Sequence, residues 1–155
     1  MTPAIERAKK ASISFQIHEY EHDPAADSYG EEAAEKLGVA SDRVLKTLVV
    51  SHGAKDLAVA VLPVSRQLNL KQFAKAIGAK KAAMADKAVA ERATGYVLGG
   101  VSPIGQKKAL TTVIDASAEQ FDTIYISAGR RGLELELSPA DLSALTRGKF
   151  APIGI

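Results

Sequence analysis

Thr123-Ile-Tyr-Ile-Ser127, Ala128-Gly-Arg-Arg-Gly132 and Leu133-Glu-Leu-Glu-Leu137 follow one another without a break, and their reading decides the fold. β-branched and aromatic residues fill the first run, two glycines bracket the middle one, and the last alternates leucine with glutamate. Two strands closed by a hairpin over Gly129–Gly132 satisfy this pattern. A helix does not, because a period of two would scatter its apolar residues around the whole cylinder. In the last run the leucines mark a buried face, and Glu134 and Glu136 an exposed one.

The neighbouring segments extend the same alternation of short elements. Thr111–Asp115 reads as a strand separated from Thr123–Ser127 by a helical turn, and Ser138-Pro139 joins an N-cap to a first-turn proline for a helix ending near Gly148. Upstream, Tyr96–Leu98 reads as a short strand entering the loop Gly99-Gly-Val-Ser-Pro-Ile-Gly105. Asn69 caps a helix that Gly78 ends, and a second helix runs from Asp86 to Ala93 before Gly95. Thr47–Ser51 and Leu57–Leu62 form a hairpin around the polar loop His52–Asp56. Thr2-Pro3 opens a helix to about Ala11, and Phe15 and Ile17 lie in a half-buried strand ending before Asp23-Pro24. Glu31–Leu37 is a helix stopped by Gly38, and Ser41 caps a helical turn leading to Lys46. About seven short strands, joined partly by hairpins and partly by helical crossovers, predict an α/β (α+β) mixed sheet or barrel and not a doubly wound parallel sheet. No linker, repeat or low-complexity tract divides the 155 residues, so residues 1–155 are expected to form one domain.

Composition narrows the function. The chain is 46% hydrophobic and 25% charged, ordinary for a globular protein, and has no apolar run of about 18 residues. Met1 leads into Thr-Pro with no signal-peptide core, which predicts a soluble, cytoplasmic protein without a membrane partner. Zero cysteines exclude a disulfide framework, a thiolate metal site and a cysteine nucleophile. Charge is uneven: residues 1–35 hold 3 Lys/Arg and 8 Asp/Glu, while Arg66 to Lys108 holds 9 Lys/Arg against Asp86 and Glu91 alone. That basic stretch fits an anionic partner such as RNA, or else a solvated helix surface.

Three motifs fail on inspection. His18-Glu-Tyr-Glu-His22 spells H-E-x-x-H, but on an extended strand the two imidazoles stand about 13 Å apart at ~3.3 Å per residue, too far to share a zinc ion. Gly100 to Gly105 has the glycine spacing of a P-loop, yet Gln106-Lys107 follows where Lys and Ser/Thr are needed. No Gly-x-Ser-x-Gly elbow is present.

Other residues carry a resemblance. Lys46, Gly95-Tyr96 running through Gly99–Gly105 to Lys108, and Ser127-Ala-Gly-Arg-Arg-Gly-Leu-Glu134 together resemble the YbaK-type Cys-tRNA(Pro) deacylases. The likeness runs from Met1-Thr2-Pro3 and Ser14-Phe-Gln-Ile-His18 almost to the C-terminus, in one order. It implies a compact mixed α/β barrel similar to the editing domain of prolyl-tRNA synthetases, with neither metal nor other cofactor. It also implies release of cysteine from mischarged Cys-tRNA(Pro), and from Cys-tRNA(Cys), beside prolyl-tRNA synthetase and with no DNA partner. In this family the substrate's own thiol is thought to attack the ester carbonyl, so the protein need supply no nucleophile. By the same resemblance Lys46 holds the tRNA end, Tyr20 orients substrate, Tyr29 stacks on adenine or walls the pocket, and Gly99 and Gly100 bring backbone N–H groups to the carbonyl. Val101, Ser102, Ser127 and Gly129 join the substrate-binding residues, and Glu134 stands where the family often has aspartate. Tyr29 stands where phenylalanine is common. An Ala-tRNA(Pro) deacylase using a positioned water, or a non-catalytic tRNA- or synthetase-binding module, remains an alternative on the same barrel.

Overall fold

The computed structural model describes residues 1–26 and 28–155. Its first elements are α1 (Pro3–Lys10), β1 (Phe15–Glu19) and α2 (Tyr29–Leu37), then a 3-10 turn at Ser41–Arg43. β2 (Leu45–Ser51), β3 (Leu57–Pro63), α3 (Leu70–Ile77), β4 (Ala83–Met84) and α4 (Lys87–Thr94) form the middle. β5 (Thr111–Asp115), β6 (Ile124–Arg130), β7 (Leu133–Leu137), α5 (Pro139–Thr146) and β8 (Lys149–Ala151) complete it.

The caps lie where the side chains place them. Thr2 accepts the Ile5 N–H at 3.2 Å ahead of Pro3, Asn69 accepts that of Gln72 at 3.1 Å, and Ser138 that of Asp141 at 3.1 Å. Ser28, not a residue nearer Glu31, caps α2 by accepting the Glu31 N–H, so the helix starts two residues earlier than the sequence predicts.

The strands form two sheets. One has the order β1-β7-β6, wholly antiparallel; the other has the order β4-β2-β3-β5-β8, in which β3–β5 and β5–β8 are parallel. A parallel bridge between Val44 and Tyr125 joins them, giving the mixed α/β architecture expected, with eight strands. Leu45, Val59, Val61 and Ile114 from one sheet pack on Ile126, Leu133, Leu135 and Leu137 from the other. On its outer face β3 turns Ala58, Ala60 and Leu62 toward Phe73 of α3, so both faces of this strand are buried. No helix among the described residues is long and apolar enough to cross a membrane.

Three expectations need correction. Tyr96–Leu98 is not a strand: the Tyr96 hydroxyl donates to the Ile104 carbonyl at 2.6 Å, and the Leu98 N–H goes to the Glu91 carboxylate at 2.8 Å, leaving no ladder to join. β4 and β8 were not legible as strands; they are two and three residues long and exist only as edges on β2 and β5. The acidic face of β7 is covered by groups packed over it: Glu134 is 6% exposed, and Glu136 is half-buried beneath hydrogen bonds from Thr123 and His18.

Candidate active site

A cavity of about 340 Å³ opens between the two sheets, floored by the start of β2 and the centre of β7 and roofed by the N-terminus of α2 and the loop after α4. Seven residues named from the sequence meet there: Tyr20, Tyr29, Lys46, Gly99, Val101, Ser127 and Glu134. Register explains part of this convergence. Ser127 on β6 is the cross-strand partner of Glu134 on β7, and Tyr20 follows β1, where its N–H donates to the Gly132 carbonyl at 3.0 Å.

Three others lie outside it. Gly100 packs on the Arg130 backbone, where a Cβ would stand 2.8 Å from its Cα, and its N–H donates to the Val97 carbonyl at 2.9 Å. Ser102 is fully buried, and its hydroxyl accepts the Ile104 N–H at 3.3 Å. Gly129 packs against Thr2 and Tyr96, its N–H donating to the Ser127 hydroxyl at 3.1 Å.

Electrostatics separate the two glutamates of β7. Burial pushes the Glu134 carboxyl up to about 8, so it is protonated at neutral pH and offers an O–H to the cavity. For Glu136 burial acts in the same direction, but hydrogen bonds from Thr123 and His18, the latter at 2.8 Å, outweigh it and lower the carboxyl below its ordinary range. Two acids on one strand face are thus held in opposite proton states. Burial lowers the Lys46 ammonium, and the charge of Glu31 partly opposes it. That ammonium has no ion-pair partner among the described residues. Burial and then Glu134 raise the Tyr20 phenol.

The neutral Glu134 has a measurable consequence. Its folded pKa lies above the unfolded carboxylate value, so its contribution to stability is complete below about pH 4.5 and is lost as pH rises toward 8, at about 1.4 kcal/mol per unit. Denaturant titrations between pH 4 and 9 should show this slope in the wild type and a flatter one in Glu134→Gln. An unchanged slope in the variant would place the protonation elsewhere.

Two features escaped the sequence. The Thr47 hydroxyl is buried against the cavity with no hydrogen-bond partner among the described residues, leaving an open polar group where a ligand would sit. Arg131 forms the rim: its guanidinium stacks 3.7 Å from the Tyr29 ring centre and donates to the Tyr29 hydroxyl and, at 3.3 Å, to the Leu98 carbonyl. Its other nitrogen faces His22 Nε2 at 3.4 Å, while His22 Nδ1 meets Glu32 at 2.7 Å. Gly99 is required beneath this clamp: at φ +90°, a Cβ would stand 2.5 Å from Arg131 Nε and 2.7 Å from Tyr29 Cε2. The only faint signal was the two arginines in a hairpin turn. The His18-to-His22 motif is divided between separate carboxylates, Glu136 and Glu32.

A half-buried ammonium, a neutral carboxyl, several hydroxyls and the Gly99 backbone around a small cavity make a site suited to a compact polar group carrying a carbonyl or an anion. The chain belongs to the aminoacyl-tRNA editing domain family, whose model matches residues 22–145. It is 43% identical over 98% of its length, and 92% of the relative's, to EbsC of Enterococcus faecalis, a provisionally assigned Cys-tRNA(Pro)/Cys-tRNA(Cys) deacylase. It is 31% identical over 72% of its length, and 69% of the relative's, to the multifunctional Ser/Thr-tRNA deacylase ProXp-y of Escherichia coli K12. The fold matches that of a provisionally assigned trans-editing enzyme for prolyl-tRNA synthetase with a TM-score of 0.84 at 21% identity, covering 100% of this chain and 99% of the other.

Proposed function

We propose that this chain is a trans-editing deacylase that clears cysteine from mischarged tRNA(Pro) in the cytoplasm alongside prolyl-tRNA synthetase, with residues 1–155 acting as one editing domain. The carrying observation is a cavity that gathers Lys46, Glu134 and Gly99 in a chain without cysteine, and that none of its three histidines lines. Relatives named as tRNA deacylases support the class of reaction. The chemical need is real: cysteine and proline are close in size, and an apolar pocket separates near-isosteres by only ~1–3 kcal/mol, so a second site must remove the error.

In this reading the substrate thiol loses its proton to solvent water, which later returns one to Glu134, and its sulfur attacks the ester carbonyl carbon. The C–O bond to the terminal ribose breaks, a cyclic thiolactone leaves, and the ribose oxygen takes up a proton. Lys46 holds the anionic RNA end, and Tyr29 and Tyr20 wall the nucleoside and the aminoacyl group. Gly99 N–H faces the developing oxyanion, and the protonated Glu134 supplies the proton to the leaving oxygen. Val101 and Ser127 close the aminoacyl end. Gly100, Ser102 and Gly129 serve the loop and hairpin that carry these groups.

Purified protein incubated with Cys-tRNA(Pro) and Pro-tRNA(Pro), each with and without the synthetase, tests this reading. The expected result is loss of the cysteinyl ester and survival of the prolyl ester. RNA binding without turnover would replace it with a binding module.

A further inference from the structure

A second groove, of about 530 Å³, lies between the β2–β3 hairpin, β4 and α4. Its floor is apolar, with Leu57, Met84 and Val89, and its rim carries Lys55, Arg92 and Lys108 against one carboxylate, Asp86. The fold holds these cations together. Lys55 stands on a hairpin loop closed by the His52 N–H to the Asp56 carbonyl at 3.0 Å, and Lys108 is set beside α4 by its N–H to the Ala93 carbonyl at 3.0 Å. All three are exposed, and none has a carboxylate partner among the described residues. Arg66 differs, being committed to the fold 3.9 Å from the buried Asp115.

Two connections lead from this groove to the cavity. β2 runs from Lys46 in the cavity to Ser51 in the groove, about 17 Å at ~3.3–3.4 Å per residue. α4 continues into Val97 and Leu98, which are 65% and 51% exposed, and Glu91 on that helix fixes the Leu98 N–H at the cavity lip. Unpaired cations at one end, an exposed apolar shelf on the connecting chain and a cavity at the other match an extended polyanion that lays its backbone on the cations and its end in the cavity.

We propose that this groove is a second binding site, taking the phosphodiester backbone of the RNA whose 3′ end enters the cavity, an inference that rests on the deacylase reading above. Cations drawn from three elements suit successive phosphates along a strand rather than a single anion.

The test compares wild type with the triple variant Lys55→Ala, Arg92→Ala, Lys108→Ala, checked for unchanged thermal unfolding. Two readouts are needed: affinity for uncharged tRNA across a salt series, and cleavage of Cys-tRNA(Pro) against 3′-O-cysteinyladenosine, which has no backbone to fill the groove. The variant should bind tRNA about 10- to 100-fold more weakly, with a log–log salt slope shallower by about 2, roughly 0.7 per lost contact. Cleavage of Cys-tRNA(Pro) should fall with affinity, and cleavage of the nucleoside ester should not change. Unchanged tRNA affinity and slope overturn the proposal, as does equal loss on both esters. Loss of synthetase association with intact tRNA affinity also overturns it, assigning the groove to a protein surface. If the wild type cleaves neither ester, the deacylase reading fails, while the tRNA titration still decides the groove.

Discussion

Lys46→Ala is expected to lower cleavage of Cys-tRNA(Pro) by about 10- to 10²-fold, the effect of losing one charge-assisted hydrogen bond of about 1.5–3 kcal/mol to the anionic RNA end. Thermal unfolding should stay near that of the wild type. The side chain lines the cavity, and its ammonium has no ion-pair partner among the described residues, so folding gains little from it. Burial lowering its pKa is the mark of a charge held at a cost to the folded state. A purified, folded variant with near wild-type turnover would remove Lys46 from the mechanism. Lys46→Arg should restore only part of the activity, because a planar fork does not occupy the space of a compact ammonium.

The second large effect is expected from the substrate. tRNA(Pro) carrying S-methylcysteine should resist cleavage with every protein group unchanged. At neutral pH a few per cent of an unperturbed thiol is thiolate, but holding sulfur against its own carbonyl is worth ~7–11 kcal/mol of barrier, which outweighs the poor ionisation. The cavity offers hydroxyls from Ser28, Thr47 and Ser127 but no histidine to activate them. Parallel assays with cysteinyl, S-methylcysteinyl, seryl and alanyl esters measure the effect. Clearance of the methylated ester at the cysteinyl rate would require a water held by the protein instead, with the open Thr47 hydroxyl its nearest anchor.

Local signals in the sequence located most of the elements. Thr2-Pro3, Asn69 and Ser138-Pro139 begin helices because each side chain satisfies a backbone N–H that the first turn leaves open, and Gly38, Gly78 and Gly95 end α2, α3 and α4 in the left-handed conformation. β4 and β8 carried no such signal, since Ala83-Met84 and Lys149–Ala151 are strands only through the neighbours they meet. Tyr96–Leu98 had strand-like residues but no free ladder beside it. The same limit governs the site. Tyr20, Lys46 and Glu134 became candidates through resemblance, and nothing in their spacing foretold that two sheets would bring them together. Alternation along β7 correctly set the leucines apart from the glutamates, but it could not tell water from a covered cavity, and that difference fixes the proton on Glu134. Arg131 was invisible for the same reason: its partners Tyr29 and Leu98 are remote in sequence.

The Arg131 clamp also determines when the chain meets the cost of order. A mobile lip would give up the freedom of each rotamer-rich side chain at the moment of binding, at about 0.5–1.5 kcal/mol apiece. Here the guanidinium, the Tyr29 ring and the Leu98 carbonyl are already tied together by folding, packed over a glycine whose missing side chain makes room for them. One face of Tyr29 is therefore occupied before any nucleoside arrives. In the deacylase reading proposed above, only its opposite face would remain for a base, and the rim would select by the shape it already has.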